Sequence, residues 1–233
     1  MSSPVPTATL AASMSAPEFY TRLARVYDTL ARHGPGVGRL RRTLADALDP
    51  PSGATVVEFG CGTAANRPYL DAKVGPEGTY VGVDFAPGVL RVARERGRDR
   101  GDVPHLIRGD ATRPPLKPEA VDACCGAFVA GMLADPAEAV RDWAGLVGPG
   151  GRIALLDLAQ STRPGWRRLN PAYRLFVRAG SPPGTARSLE RSPAAVQDER
   201  VVAAHRALRA VCTDIEYETV LGGFGRVSAG TVE

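Results

Sequence analysis

Lysine is nearly absent from this 233-residue chain. Of 29 basic residues only Lys73 and Lys117 are lysines, so arginine carries almost all of the positive side of a +4 balance. That excess is mild and spread out, and no alternation of basic and aromatic residues accompanies it, which argues against a nucleic-acid partner. Cysteine is scarce and poorly spaced for chemistry. Cys61, Cys124, Cys125 and Cys212 form no C-x-x-C pair, so neither a metal site nor a disulfide framework is expected, and reduced thiols in a cytoplasmic protein are the simpler reading. No apolar run approaches the roughly 18 residues of a membrane span. The N-terminus lacks a charged leader followed by an apolar core, which argues against a secretory signal. With 44% hydrophobic residues, the chain has enough apolar side chain for one sizeable core, and its length suits one domain with appendages.

The stretch that organises the rest is Thr55-Val-Val-Glu-Phe-Gly-Cys-Gly-Thr-Ala-Ala-Asn66. Thr55, Val56, Val57 and Phe59 predict a buried parallel strand. Gly60 and Gly62 let the backbone turn sharply and approach a ligand. Ala64-Ala65-Asn66 is expected to open a helix whose free N–H groups face the turn. No Gly-Lys-Ser/Thr follows, which excludes a P-loop, and Ala65 stands where a dinucleotide fingerprint has its third glycine. The informative residue is Glu58, a carboxylate inside an apolar strand, where burial is expensive unless the group is paired.

Glu-x-Gly-x-Gly resembles the first motif of the class I S-adenosylmethionine (SAM) methyltransferases, in which the acid helps to hold the loop and the amino-acid end of the cofactor. Ala64 stands where that family usually has a further glycine. Three more landmarks follow in the family's order. Thr79–Asp84 reads as a second strand ending in an acid, 24 residues after Gly60, where an α/β unit places the carboxylate that receives ribose hydroxyls. NAD enzymes use the same device, and a helix-capping role for Asp84 also stays open. Gly109-Asp110-Ala111 after a strand at 103–108 resembles the family's adenine contact. Leu146-Val-Gly-Pro-Gly-Gly-Arg152 before an apolar strand at 153–157 is a fourth landmark, with one extra residue. The resemblance spans residues 16–160. It implies SAM as cofactor, held by Glu58, Gly60, Cys61, Gly62, Thr63, Asp84, Phe85, Asp110, Ala111 and Gly126.

Strand–helix repeats through residue 157 predict an α/β, Rossmann-like, seven-stranded and mostly parallel sheet with helices on both faces. Runs at 214–221 and 226–232, joined by Gly222-Gly-Phe-Gly225, predict a C-terminal antiparallel hairpin. Residues 1–15 read as a disordered leader, with the methyltransferase domain at 16–233. Within that domain, residues 16–50 form N-terminal lid helices, the second of them (37–48) arginine-faced, and residues 161–212 a substrate-side insertion and helix. Phe19-Tyr20 and Ala24-Arg25-Val26-Tyr27-Asp28 resemble the opening helix of the ubiquinone/menaquinone C-methyltransferases. The resemblance implies acceptor contacts from Phe19, Tyr20 and Tyr27, and the ligand rim at the carboxyl end of the fourth strand adds Phe128 and Met132. The arginine-asparagine feature of that group after the fourth strand is missing, since this chain reads Ala127-Phe-Val-Ala-Gly131. A small apolar or aromatic acceptor, quinone-like or phenol-like, is the expectation.

No catalytic base stands out. His33, Tyr27 and Asp28 are the candidates near the lid; His105 starts a strand at the wrong end of the sheet, and His205 is expected in solvent on a late helix. Tyr173, Phe176 and Val177 form a stripe beside Arg174 and Arg178. That pattern suits a membrane surface, a cover over an apolar substrate, or a helix docked on its own protein. Two other functions stay open. A non-catalytic SAM-fold binding protein fits the absent base. An NAD(P)-dependent oxidoreductase fits the sheet but lacks a Tyr-x-x-x-Lys pair.

Overall fold

Strand and helix alternate through most of the chain, and the parallel strands spread to both sides of the first one. The computed structural model describes residues 34–180 and 191–233. Among these, α1 (Val37–Leu48) precedes β1 (Thr55–Phe59), α2 (Arg67–Val74), β2 (Thr79–Asp84), α3 (Pro87–Asp99) and β3 (His105–Arg108). The chain then crosses to β4 (Ala123–Ala127), α4 (Pro136–Val147) and β5 (Arg152–Leu158). It ends with α5 (Asn170–Gly180), α6 (Pro193–Val211), β6 (Cys212–Val220) and β7 (Gly225–Val232). The strands form one sheet of order β3-β2-β1-β4-β5-β7-β6. The first five are parallel, while β7 runs antiparallel to both β5 and β6. The expected α/β sheet and terminal hairpin are both present.

Each face of the sheet carries its own core, as a doubly covered parallel sheet requires. On one face Val57, Phe59, Cys124, Ile153 and Leu155 pack against α4 and α6. On the other, Val56, Cys125, Ala154 and Leu156 pack against α1 and α2. The adjacent thiols Cys124 and Cys125 therefore point to opposite faces, and burial raises both pKa values, so neither is a reactive nucleophile. At the centre of the first core the Trp143 ring stacks on Phe59 with centroids 4.6 Å apart and donates its indole N–H to the Ala111 carbonyl at 2.7 Å. Asp135 caps α4, its carboxylate accepting from the Glu138 N–H at 2.8 Å.

Three local expectations are corrected. Residues 64–66 do not open a helix: α2 starts at Arg67 after the N-cap Asn66. Ala64 instead adopts φ 53°, the left-handed conformation of its neighbours Gly60 and Gly62. Helix α1 is not simply arginine-faced, because Arg41 is buried among its apolar positions. His205 is buried under the sheet rather than in solvent. No helix among the described residues is long and apolar enough to cross a membrane, and no cluster of potential metal ligands occurs among them.

Candidate active site

The carboxyl ends of β1, β2 and β4 meet where strand order reverses on either side of β1, the position where open parallel sheets bind ligands. Here the glycine loop leaves β1. The Cys61 N–H donates to the Val83 carbonyl at 3.0 Å, tying the loop to β2. At Gly60, a side chain would meet Val129 Cγ2 at 2.6 Å, in a backbone conformation with φ 66°. Gly60 thus lets the segment after β4 close against the loop.

Asp84 ends β2 and grips that loop. One carboxylate oxygen accepts from the Gly62 N–H and the other from the Ala86 N–H, each at 2.9 Å. Burial raises its pKa, and the backbone donors of Ala86, Gly62 and Phe85 oppose the rise. Asp84 is not the N-cap of α3; Ala86 holds that place. The carboxylate keeps acceptor capacity beyond these backbone bonds. A carboxylate fixed this way at the strand tip suits a pair of ribose hydroxyls. Phe85 next to it is 39% exposed, an aromatic face available at the same rim.

Glu58 lies behind the loop. It is fully buried, and its oxygens accept from the Tyr80 hydroxyl at 2.6 Å and from the Asn66 side-chain amide. The Asn66 carbonyl oxygen in turn accepts from Arg41. Burial raises the Glu58 pKa to about 7 against the lowering pull of Tyr80, Asn66 and Arg41. This chain of four buried polar side chains ties α1, β1, β2 and the start of α2 together, so Glu58 is placed to shape the loop. Arg41 also lies over the Phe128 ring, 5.7 Å from its centroid, a cation–π contact.

The remaining predicted residues fall into several groups. Thr63 is buried, and the Cys61 sulfur packs against Gly82 with its pKa raised by burial. Asp110 is exposed at the end of the β3 edge, one oxygen accepting from both the backbone and hydroxyl of Thr112. Ala111 beside it is buried, with its carbonyl bound to Trp143. Gly126 is occupied by packing: a side chain there would meet Val129 at 2.9 Å and Trp143 at 3.0 Å. Phe128 is half-buried on the α1 face with φ 59°, whereas Met132 is exposed, so the two predicted acceptor contacts point to different surroundings. Phe19, Tyr20, Tyr27, Asp28 and His33 lie outside the described residues.

Sequence reasoning missed two polar clusters. Arg41, Asn66 and Tyr80 form the first; its signal was an arginine inside the apolar stripe Leu40-Arg41-Leu44-Ala45-Leu48. The second joins α6 to β5 and β7. His205 Nδ1 lies 2.7 Å from the Ser228 hydroxyl, and its Nε2 lies 3.4 Å from the Asp157 carboxylate. Burial raises the Asp157 pKa, against the lowering pull of His205 and of the Ala130 backbone in the short turn after β4. These residues sit on three separate elements, and no local pattern links them.

The fold is that of the SAM-dependent methyltransferases. Phospholethanolamine N-methyltransferase 2 of Haemonchus contortus, solved with S-adenosylhomocysteine, superposes with a TM-score of 0.68 at 13% identity, covering 94% of this chain and 60% of that one. Residues 57–155, from β1 through most of β5, match the model of the methyltransferase-domain family. The 2-phytyl-1,4-naphtoquinone methyltransferase of Thermosynechococcus vestitus is 32% identical over 60% of this chain and 63% of its own length. The demethylmenaquinone methyltransferase of Listeria welshimeri is 31% identical over 59% of this chain and 58% of its own length. The aligned region thus spans less than two thirds of these curated relatives.

Proposed function

We propose that this chain binds SAM at the carboxyl edge of β1 and β2 and transfers its methyl group to a small apolar or aromatic acceptor of the quinone or phenol type. The observation that carries the reading is Asp84, whose carboxylate at the tip of β2 is fixed to the Gly62 N–H of the glycine loop, within a segment matching the methyltransferase-domain family. When bound, SAM supplies a methyl group already activated by a sulfonium, so the protein has little bond chemistry of its own to perform.

The residues present fit that cofactor. Asp84 would orient the ribose, Phe85 would flank the adenine, Asp110 would accept from its exocyclic amine, and the Ala111 N–H would donate to a ring nitrogen beside that amine. Glu58 keeps the loop in shape through Asn66, and Gly60 and Gly62 allow the close backbone approach. The segment 127–132 walls the acceptor side. Among the described residues neither histidine reaches this rim: His105 starts β3 at the far edge, and His205 lies beneath the sheet. The chain therefore works by alignment and water exclusion, or with a base from the residues preceding α1. The names of the quinone methyltransferases favour a quinone-type acceptor.

Calorimetric titration with SAM, S-adenosylhomocysteine and NADH tests the cofactor. Micromolar binding of the two SAM-type ligands, on the order of −8 kcal/mol, is expected. Folded protein that binds neither of them, or binds NADH alone, refutes the reading. SAM binding with no methyl transferred to any quinone or phenol would support a non-catalytic binding protein instead.

A further inference from the structure

Among the described residues, none covers a large part of the surface of helix α5. Tyr173 and Val177 dock it, packing with Ala194, Leu158 and Phe224. Away from that docked edge Leu175 is 69% exposed and Phe176 59%, and Leu169, in the turn just before the helix, is 43% exposed. Trp166, just before the helix, is 47% exposed and rests on the Gly222 backbone. Monomeric proteins rarely leave so many large apolar side chains together in water.

The charge beside this surface has one sign. Residues 161–180 contain five arginines and no acid. Arg163 is tied to Thr219, while Arg167, Arg168, Arg174 and Arg178 are exposed and form no ion pair among the described residues. At about 100° per residue, Arg174 and Arg178 fall close together on the helix, Leu175 lies next to them, and Phe176 lies between Leu175 and the docked edge. The helix thus has a docked edge, an arginine stripe and an apolar stripe. That division is what a helix lying in the plane of a membrane surface requires, with apolar side chains among acyl chains and guanidinium groups at the headgroups.

We propose that the outer face of residues 166–178 binds the surface of an anionic lipid bilayer. Its location makes this useful. The Tyr173 hydroxyl and the Leu158 carbonyl both accept from Gln197 Nε2, each at 3.1 Å. Gln197 also packs against Gly131, in the turn that walls the acceptor side. Contact with a bilayer would therefore put that wall at the lipid surface, where an apolar acceptor resides. The lipid contact itself rests on the α5 surface alone. Only this consequence rests on the proposed methyl transfer.

The test uses the full chain with no cofactor or acceptor, so that its outcome is independent of methyl transfer. Protein is mixed with vesicles of phosphatidylcholine and with vesicles that also contain phosphatidylglycerol. Trp166 is one of two tryptophans, and the other, Trp143, is fully buried. Anionic vesicles are expected to shift Trp166 emission to the blue, protect it from an aqueous quencher and carry the protein on flotation, with rising salt reversing all three. Leu175→Asp and Phe176→Asp should each lower partition by about tenfold or more with an unchanged thermal melt, since both positions are exposed. Arg174→Glu with Arg178→Glu should remove the preference for anionic lipid. Equal behaviour with both vesicle types, or no flotation at low salt, overturns the proposal. So does a Trp166 shift that follows protein concentration without lipid, which would assign the face to a second copy of the chain.

Discussion

Glu58→Gln tests the physical account of the loop support. In the folded chain this carboxyl has no water to ionise into, and its pKa stands at about 7 rather than its ordinary 4.5. The folded state therefore holds a proton that the unfolded state releases between those two values. Where the native state binds more protons, stability falls as pH rises. The favourable contribution is complete below 4.5, declines through the interval, and is gone once pH passes about 7. The displacement from 4.5 to about 7 corresponds to about 3 kcal/mol. Glutamine keeps the shape and never ionises. Its oxygen can accept from Asn66 while its amide donates to the Tyr80 oxygen. Urea melts of both proteins from pH 4.5 to pH 8 should show the wild type losing about 3 kcal/mol relative to Glu58→Gln, with other titrations cancelling in the difference. A flat difference across that range refutes the argument. A wild type that gains on the variant as pH rises would mean that Arg41 and Asn66 hold Glu58 ionised, reversing the balance of desolvation and pairing.

Other substitutions examine separate parts of the structure. Phe85→Ala removes an exposed aromatic face and should weaken SAM binding about tenfold by calorimetry while changing stability by less than about 0.5 kcal/mol; an unchanged affinity would move the adenine elsewhere. Ala64→Gly relieves a left-handed alanine and should stabilise by up to about 1 kcal/mol in urea, where an ordinary loop Ala→Gly would destabilise. His205→Leu strips a partner from buried Asp157 and Ser228 and should cost about 3 kcal/mol. Adding Asp157→Asn should recover part of that loss, as a double-mutant cycle would report; simple additivity would dissolve the pair. Asp135→Ala removes the α4 cap and should lower the melting free energy by about 1 kcal/mol.

Fold class was legible in the sequence because its signals are local. Apolar runs, turn glycines and crossover lengths are each written within a few residues, and parallel topology follows from them through the handedness of crossovers. The loop and Asp84 could be read for the same reason: each function belongs to a position within its own strand–turn–helix. What tertiary structure alone decided is which distant polar groups meet. Glu58 announced a need for partners, but Arg41, Asn66 and Tyr80 come from three other elements and are brought to it only when α1 packs against the sheet. His205 read as a surface residue because α6 shows no polar–apolar division that singles it out, and its burial depends on where β5 and β7 place Asp157 and Ser228. Ala64 shows the reverse case. Its sequence suggests a helix start, yet the hydrogen bond from the Ala64 N–H to the Cys61 carbonyl closes a turn that holds it left-handed. Local propensity lost there because the tertiary closure of the loop outweighs the roughly 1–2 kcal/mol that a single strained residue costs.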